Sequence, residues 1–305
     1  MKPKIVIILG PTAVGKSEIA LNLADEIGAE IINADSQQVY RYLNVGTGKP
    51  SAAERARIPH HLIDAVDPDE EFNAAIFRKL ALESVENIQS RGRAVIVCGG
   101  TGLYIKALTG GLFTGPGSDM EIRKQLDAEI ETRGLPYLYE RLQTIDPAAI
   151  TRIHPNDRQR IIRALEIYSL TGKPISVWQA EHAFSESRFD TLLIGLNRAR
   201  AELYALINHR CDRMIADGLI DEVRGLVEKG YGLNLRPMQS VGYRHMGLLL
   251  TSRISAEEAL ELMKRDTRRL AKRQLTWFRQ DRKMQWYHPE ADRERLGAAV
   301  ADFLS

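Results

Sequence analysis

Residues 10–17 read Gly10, Pro11, Thr12, Ala13, Val14, Gly15, Lys16 and Ser17, directly after the apolar run Ile5-Val6-Ile7-Ile8-Leu9. The octet fits G-x-x-x-x-G-K-[ST], and a strand that ends in such a loop and opens a helix aims several backbone N–H groups at one point. The positive end of the helix dipole falls at the same point, so the loop holds phosphate oxygens. Gly10 and Gly15 serve a turn too close for a Cβ. Lys16 is placed to reach an outer phosphate as a point charge, and the Ser17 hydroxyl to ligate Mg²⁺. An apolar stripe at Ile19, Ala20, Leu23, Ala24 and Ile27 supplies the amphipathic helix that the motif requires. The octet calls for a phosphorylated ligand but does not say that the ligand is ATP.

Short apolar runs at 5–9, 30–34, 62–66 and 94–98 alternate with helical patterns at 16–27 and 73–89. Such βαβ alternation predicts a parallel sheet covered by helices, with ligands at the carboxyl ends of the strands. A Gly/Pro stretch at 110–117 then punctuates the chain. Helical patterns fill 119–183, a further strand is expected at 191–196, and helices resume from 199 to 282. The expected fold is α/β: a phosphate-loop parallel sheet flanked by helices, with a helical insertion domain. On this reading residues 1–117 and 186–305 form the core domain and 118–185 the insertion.

A chain of 305 residues with 44% apolar and 27% charged residues has the composition of a soluble globular protein. No apolar stretch reaches membrane-spanning length. Cys98 and Cys211 offer neither a disulfide framework nor a Cys-rich zinc site, which points to a reducing cytoplasm. The net charge of +2 hides an asymmetry. Residues 264–283 carry nine Lys/Arg against two Asp, a net of +7 that leaves −5 for the rest. Helical spacing puts Arg265, Arg268, Arg269, Lys272, Thr276 and Arg279 on one face, and turns Met263, Leu270, Trp277 and Phe278 toward another. A run of charge is commonly a solvated helix face; with so few acids interleaved, this one suggests a polyanionic partner.

Asp35 follows the second expected strand in ADSQQVY (34–40), where a carboxylate serves as metal ligand, general base or helix cap. Beside a phosphate loop the catalytic role is favoured. Thr101 follows the fourth strand in GGTGLY (99–104), a turn whose glycines need no function but whose hydroxyl could donate to a leaving oxygen. Arg160 and Arg163 project from one face of a helix opened by His154-Pro155-Asn156-Asp157, as phosphate contacts or simply as a solvated face behind a cap at Asn156 or Asp157. His60 and His61 are adjacent in an extended segment, so they point opposite ways and make a poor metal site.

Taken together, these motifs resemble the tRNA dimethylallyltransferases of the bacterial type. The likeness runs through GPTAVGKS (10–17), ADSQQVY (34–40), VGTGKP (45–50), PHHLID (59–64), GGTGLY (99–104), HPNDRQRIIRALE (154–166), SVGYRH (240–245) and AKRQLTWFR (271–279). Two cysteines leave none for the C-terminal zinc finger that eukaryotic relatives often carry. The resemblance implies that the loop 10–17, with Mg²⁺ and Arg210, holds the pyrophosphate of dimethylallyl pyrophosphate. Arg213, one turn from Arg210, competes for that role. Asp35 matches the general base for adenine N6, and Thr101 the hydroxyl beside the bridging oxygen of the leaving group. The adenosine 3′-adjacent to the anticodon has to leave its stack to react. The family's tRNA contacts carry over to Asp35, Ser36, Gln37, Gln38, Thr101, Arg123, Gln159, Arg160, Ile161, Ile162, Arg163, Gly242, Tyr243, Arg244, Lys272, Arg273 and Arg279. Val14 replaces a common Ser, and His245 stands where many relatives have Gln, which puts one polar contact in question. The resemblance implies a monomer acting on tRNA. A phosphate-loop small-molecule or nucleoside kinase, an enzyme prenylating free adenine nucleotides, and a non-catalytic RNA-binding protein are the competing readings.

Overall fold

A computed structural model of the chain describes residues 2–112, 115–182 and 188–305. The run behind the phosphate loop forms β1 (Lys4–Leu9), buried from Ile5 onward. A parallel sheet covered on both faces needs such an unbroken apolar strand at its centre. β1 lies between β4 (Ala94–Gly99) and β5 (Asp190–Leu196), with Leu9 opposite Gly99 on one side and Gly195 on the other. β2 (Ala29–Asn33) pairs with β4, β3 (His60–His61) with β2, and β6 (Gln285–Tyr287) with β5. The order is β3-β2-β4-β1-β5-β6, and every pairing is parallel. The segments that leave β1, β2 and β4 therefore emerge at one end of the sheet, which is where open α/β sheets bind ligands.

The third strand departs from expectation. It is His60–His61, not 62–66, because Leu62 (φ 61°) and Asp64 (φ 53°) turn into the left-handed region and end the extended run. Val66 contributes only an isolated bridge to Tyr40. β6 and the helix that follows it lay outside the sequence reading: a three-residue strand behind a basic run gives no periodic signal.

The chain divides into two compact units, Met1–Thr109 with Ser187–Ser305, and Gly110–Glu186. The boundary expected at 185–186 and residues 113 and 114 of the Gly/Pro stretch lie outside the described residues. In the first unit α1 (Lys16–Ile27) packs on β2 and β4, α2 (Ala52–Arg57) carries a Ser51/Glu54 capping box, and α3 (Ala74–Ser90) is capped by Asn73. α4 (Gly102–Gly110) follows β4.

The second unit holds α5 (Met120–Arg133), α6 (Leu135–Ile145), α7 (Pro147–Ile150), α8 (Arg158–Thr171) and α9 (Ile175–His182). Leu126, Leu138, Leu142, Ile161 and Leu165 form its core. The first unit resumes with α10 (Arg200–Ala216), α11 (Leu219–Glu228), α12 (Tyr243–Leu250), α13 (Ala256–Phe278) and α14 (Arg293–Leu304). Ile207, Val223, Met263, Ala271 and Phe278 of these helices share one continuous core with the sheet.

Candidate active site

The phosphate loop stands where the motif places it. Gly15 (φ 107°) is the N-cap of α1, and no side chain bonds the first turn, so the N–H groups opening the helix stay available to an anion. Lys16 Nζ donates to the Gly10 and Pro11 carbonyls at 2.9 and 2.7 Å, and burial pushes its ammonium down to about 8 against the pull of Cys98 and Asp35. The Ser17 hydroxyl lines the cleft with no protein partner among the described residues. A free hydroxyl beside phosphate-binding N–H groups fits Mg²⁺, which takes one or two protein oxygens and completes its shell with phosphate and water.

The turns that carry Asp35 and Thr101 leave the neighbouring strands β2 and β4 and are joined through Ala34 and Ser36, the residues on either side of Asp35. Thr101 N donates to the Ala34 carbonyl at 3.2 Å, and Ser36 N donates to Thr101 Oγ1 at 3.0 Å. A side chain on Gly99 would overlap the Ala34 backbone, so that glycine permits the approach. Asp35 Oδ1 accepts from Gln37 N at 2.8 Å, a local side-chain turn with no helix behind it, so the expected capping role is not met, and its other carboxylate oxygen has no partner among the described residues. Gln38 Nε2 donates to the Thr47 and Gly48 carbonyls at 3.3 Å each. Cys98 lies deeper, and burial pushes its thiol up to about 11, so it is no nucleophile.

These groups line one cleft of about 1660 Å³, together with Arg210, Arg213, Arg244, Arg269 and Arg273. Arg210 donates to the Thr47 carbonyl at 3.0 Å; burial lowers its pKa while Asp35 raises it. Arg213 is 69% exposed and reaches Asp217 at 4.0 Å. Between the two, Arg210 is the one fixed against the loop 45–48 beside Asp35.

Several carried-over contacts take other partners. Tyr243 is fully buried, and its hydroxyl donates to Glu222, whose carboxylate also accepts from Asn44 N, Val45 N and Gly46 N. Gly242 is buried with it, and Ile161 lies in the helical core, so the side chains of Ile161 and Tyr243 are withheld from any RNA. Arg123 and Arg163 both bond the fully buried Glu166, at 2.7 and 2.6 Å, and Asp119 N adds a third donor. Arg160 pairs with Asp157, which is the cap of α8. His245 accepts from Gly242 N at 3.3 Å and lies 3.2 Å from Asp266, closing an internal contact.

The basic helix is also not as its charges suggested. Arg268 bonds Asn208, while Arg265 and Arg269 share Asp266. Trp277, expected on the apolar face with Met263, Leu270 and Phe278, is 38% exposed. Lys272, Arg273, Arg279 and Ile162 are at least partly exposed, and the three cations make no ion pair among the described residues.

Three residues escaped the sequence reading. Gln274 Oε1 accepts from Thr12 N at 2.9 Å, and its Nε2 donates to the Gly100 carbonyl at 3.0 Å. Arg198 donates to the Val14 carbonyl at 3.0 Å and is held by Glu202 and Glu290. Lys49, 2% exposed, joins the Tyr40 carbonyl to Asp64. Gln274 had a signal: it falls on the inward stripe Met263, Thr267, Ala271, Phe278, where an uncharged polar residue needs a partner. Arg198 had only its i,i+4 spacing to Glu202, and Lys49 stood in VGTGKP (45–50) with no role attached, since the contacts to Val14 and Asp64 are set by the fold.

A phosphate loop at the carboxyl end of a parallel sheet, with an acid and a hydroxyl meeting beside it and a basic helix on one wall, defines a phosphate-loop α/β enzyme that works on a diphosphate or its derivative. The sequence model of the family described as IPP transferase matches residues 38–281, and the chain belongs to that family. It is 48% identical to a tRNA dimethylallyltransferase of Geobacter sulfurreducens over 303 residues, 99% of this chain and 97% of that one. A tRNA dimethylallyltransferase of Syntrophobacter fumaroxidans is 50% identical over 97% of this chain and 86% of its own. Among solved structures, the tRNA isopentenylpyrophosphate transferase of Bacillus halodurans aligns with a TM-score of 0.74 at 39% identity, covering 99% of this chain and 97% of that chain. A eukaryotic dimethylallyltransferase acting on tRNA gives 0.80 at 31% identity, over 99% of this chain and 79% of that chain.

Proposed function

We propose that the cleft carries out tRNA prenylation with dimethylallyl pyrophosphate as donor and the N6 of the adenosine 3′-adjacent to the anticodon (position 37) as acceptor, in tRNAs reading codons that begin with U. The chain is a prenyl-transferring enzyme of tRNA. The observation that carries the assignment of roles is that the turns bearing Asp35 and Thr101 are bonded together through Ala34 and Ser36 at the ends of β2 and β4, next to Lys16. Adenine N6 attacks the allylic carbon, the bond from that carbon to the bridging oxygen breaks, and pyrophosphate leaves. Asp35 takes the N6 proton. Ser36 N–H occupies Thr101 Oγ1 as acceptor, which leaves the hydroxyl proton for the bridging oxygen.

Lys16, the open N–H groups of α1 and Arg210 neutralise charge that grows on pyrophosphate, which is where preorganised electrostatics lower a barrier most. Magnesium held by Ser17 and pyrophosphate oxygens would add positive charge at the leaving group. Lys272, Arg273 and Arg279 track RNA phosphates, and Gln37 and Gln38 line the place of the flipped base. In the helical unit, Gln159 and Arg160 are the exposed candidates for RNA.

The test is incubation with labelled dimethylallyl pyrophosphate, Mg²⁺ and bulk tRNA, followed by digestion. The expected result is label on N6 of adenosine, release of pyrophosphate and no requirement for a nucleoside triphosphate. Absence of label, with phosphorylation of a small substrate from ATP, would assign the loop to a kinase.

A further inference from the structure

The phosphate loop and the turn bearing Thr101 come from different strands, and their mutual spacing decides whether the hydroxyl faces the leaving group. One side chain spans them. Gln274 projects from α13 and accepts from Thr12 N with Oε1 while donating to the Gly100 carbonyl with Nε2. Its amide orientation is fixed by chemistry, since a backbone N–H can only donate and a carbonyl only accept. Gly100 leaves the space, because a methyl there would overlap Gln274 Nε2. Ala271 and Phe278, both buried, seat this stretch of helix, while Lys272 and Arg273 beside it are exposed.

We propose that Gln274 is a positioning residue for prenyl transfer: it locks the phosphate loop to the turn of Thr101, so that the pyrophosphate cradle and the leaving-group donor keep one geometry. The proposal rests on the reading of the cleft given above. It separates two jobs within one turn of α13, with Arg273 facing RNA and Gln274 holding the chemistry in register. A shared misplacement of about 1 Å is enough to cost orders of magnitude in a near-attack geometry.

The test uses the full chain with Gln274→Met, which keeps length and removes both bonds, and Gln274→Glu, which keeps the acceptor, loses the donor and adds negative charge beside the loop. Steady-state transfer, tRNA affinity by filter binding and inorganic pyrophosphate affinity by calorimetry are read together with the melting midpoint. Gln274→Met should lower kcat by about 10- to 100-fold with tRNA affinity within about twofold, the pattern of a lost transition-state arrangement. Gln274→Glu should weaken pyrophosphate more than Gln274→Met does.

Gly100→Ala, which displaces the amide without altering α13, should reproduce the fall in kcat at unchanged tRNA affinity. It keeps the proposal testable if the Gln274 variants fail to fold. Wild-type kcat in Gln274→Met or Gly100→Ala would overturn the proposal. A loss confined to tRNA affinity would do the same and place Gln274 on the RNA surface. If the wild-type chain itself transfers no prenyl group, the reading of the cleft fails. The pyrophosphate affinities of the variants still decide whether the amide holds the loop.

Discussion

The cleft and the helical unit 110–186 both contain residues singled out by motif, yet they use them in opposite ways. In the cleft, Ser17, the second oxygen of Asp35 and the hydroxyl proton of Thr101 are left without protein partners among the described residues, while backbone bonds fix the groups around them. In the helical unit, Arg123 and Arg163 are spent on Glu166, which is buried and needs both. A motif names the residue, but partners decide whether it faces a ligand or the fold. The basic helix shows the same division within one element, with Arg265, Arg268 and Arg269 engaged and Lys272, Arg273 and Arg279 without ion pairs among the described residues.

The comparison breaks most easily at the phosphate loop. Lys16→Ala should reduce prenyl transfer by about 10³-fold or more, the scale of a lost electrostatic donor in a preorganised site, while tRNA still binds. A variant that loses tRNA affinity instead would remove the separation between cradle and RNA surface. Asp35→Asn should lower single-turnover transfer by about 10²-fold or more with folding and tRNA affinity intact, as for a removed general base. Near-normal turnover would leave Asp35 with its turn bond to Gln37 alone.

Smaller effects sharpen the contrast among the arginines. Replacing Lys272, Arg273 and Arg279 with Ala together should weaken tRNA binding and flatten the slope of log affinity against log salt by about 0.7–0.9 per lost phosphate contact. Replacing Arg268 and Arg269 should change that slope less, because Arg269 already pairs with Asp266 and the Arg268 guanidinium is tied to the Asn208 amide. An equal loss in both sets would mean that engagement does not matter.

In the helical unit, Arg123→Met should act on stability, by about 1–3 kcal/mol for a hydrogen bond to a buried charge, and be visible in the melting midpoint before it is visible in tRNA affinity. Burial pushes the Glu166 pKa up, but bonds from Arg123, Arg163 and Asp119 N outweigh it and hold the carboxyl below its ordinary range. Its folded value being depressed, this contribution is complete above the unfolded carboxylate pKa and is lost as pH falls through the folded one. Acid titration of unfolding in wild type and Glu166→Gln should converge at low pH.

Short apolar runs made β1, β2, β4 and β5 legible, and the rule that a parallel sheet binds ligands at its carboxyl end put Asp35 and Thr101 on the side of the phosphate loop. Where local geometry overrode composition, the reading slipped: left-handed Leu62 and Asp64 moved β3, and β6 exists only because β5 offers it an edge. Charge counting along α13 saw the arginines and missed that Asp266 and Asn208 neutralise or occupy some of them. It also passed over Gln274, the uncharged residue among them that reaches the site. Ile161 was legible as a packing residue of its helix, whereas Tyr243 was legible as a motif member but not as a buried side chain, since its burial depends on what the rest of the chain lays over it.

Lys16 rests on two carbonyls of its own loop, and burial brings its ammonium to about 8. A phosphate group arriving beside it favours the charged form, so ligand capture and proton capture are a single event near that pH. Calorimetric heats for pyrophosphate at pH 8 should then shift with the ionisation enthalpy of the buffer. Loss of that proton as pH rises above about 8 should weaken the loop's hold on an anion, and the fall should be absent in Lys16→Ala.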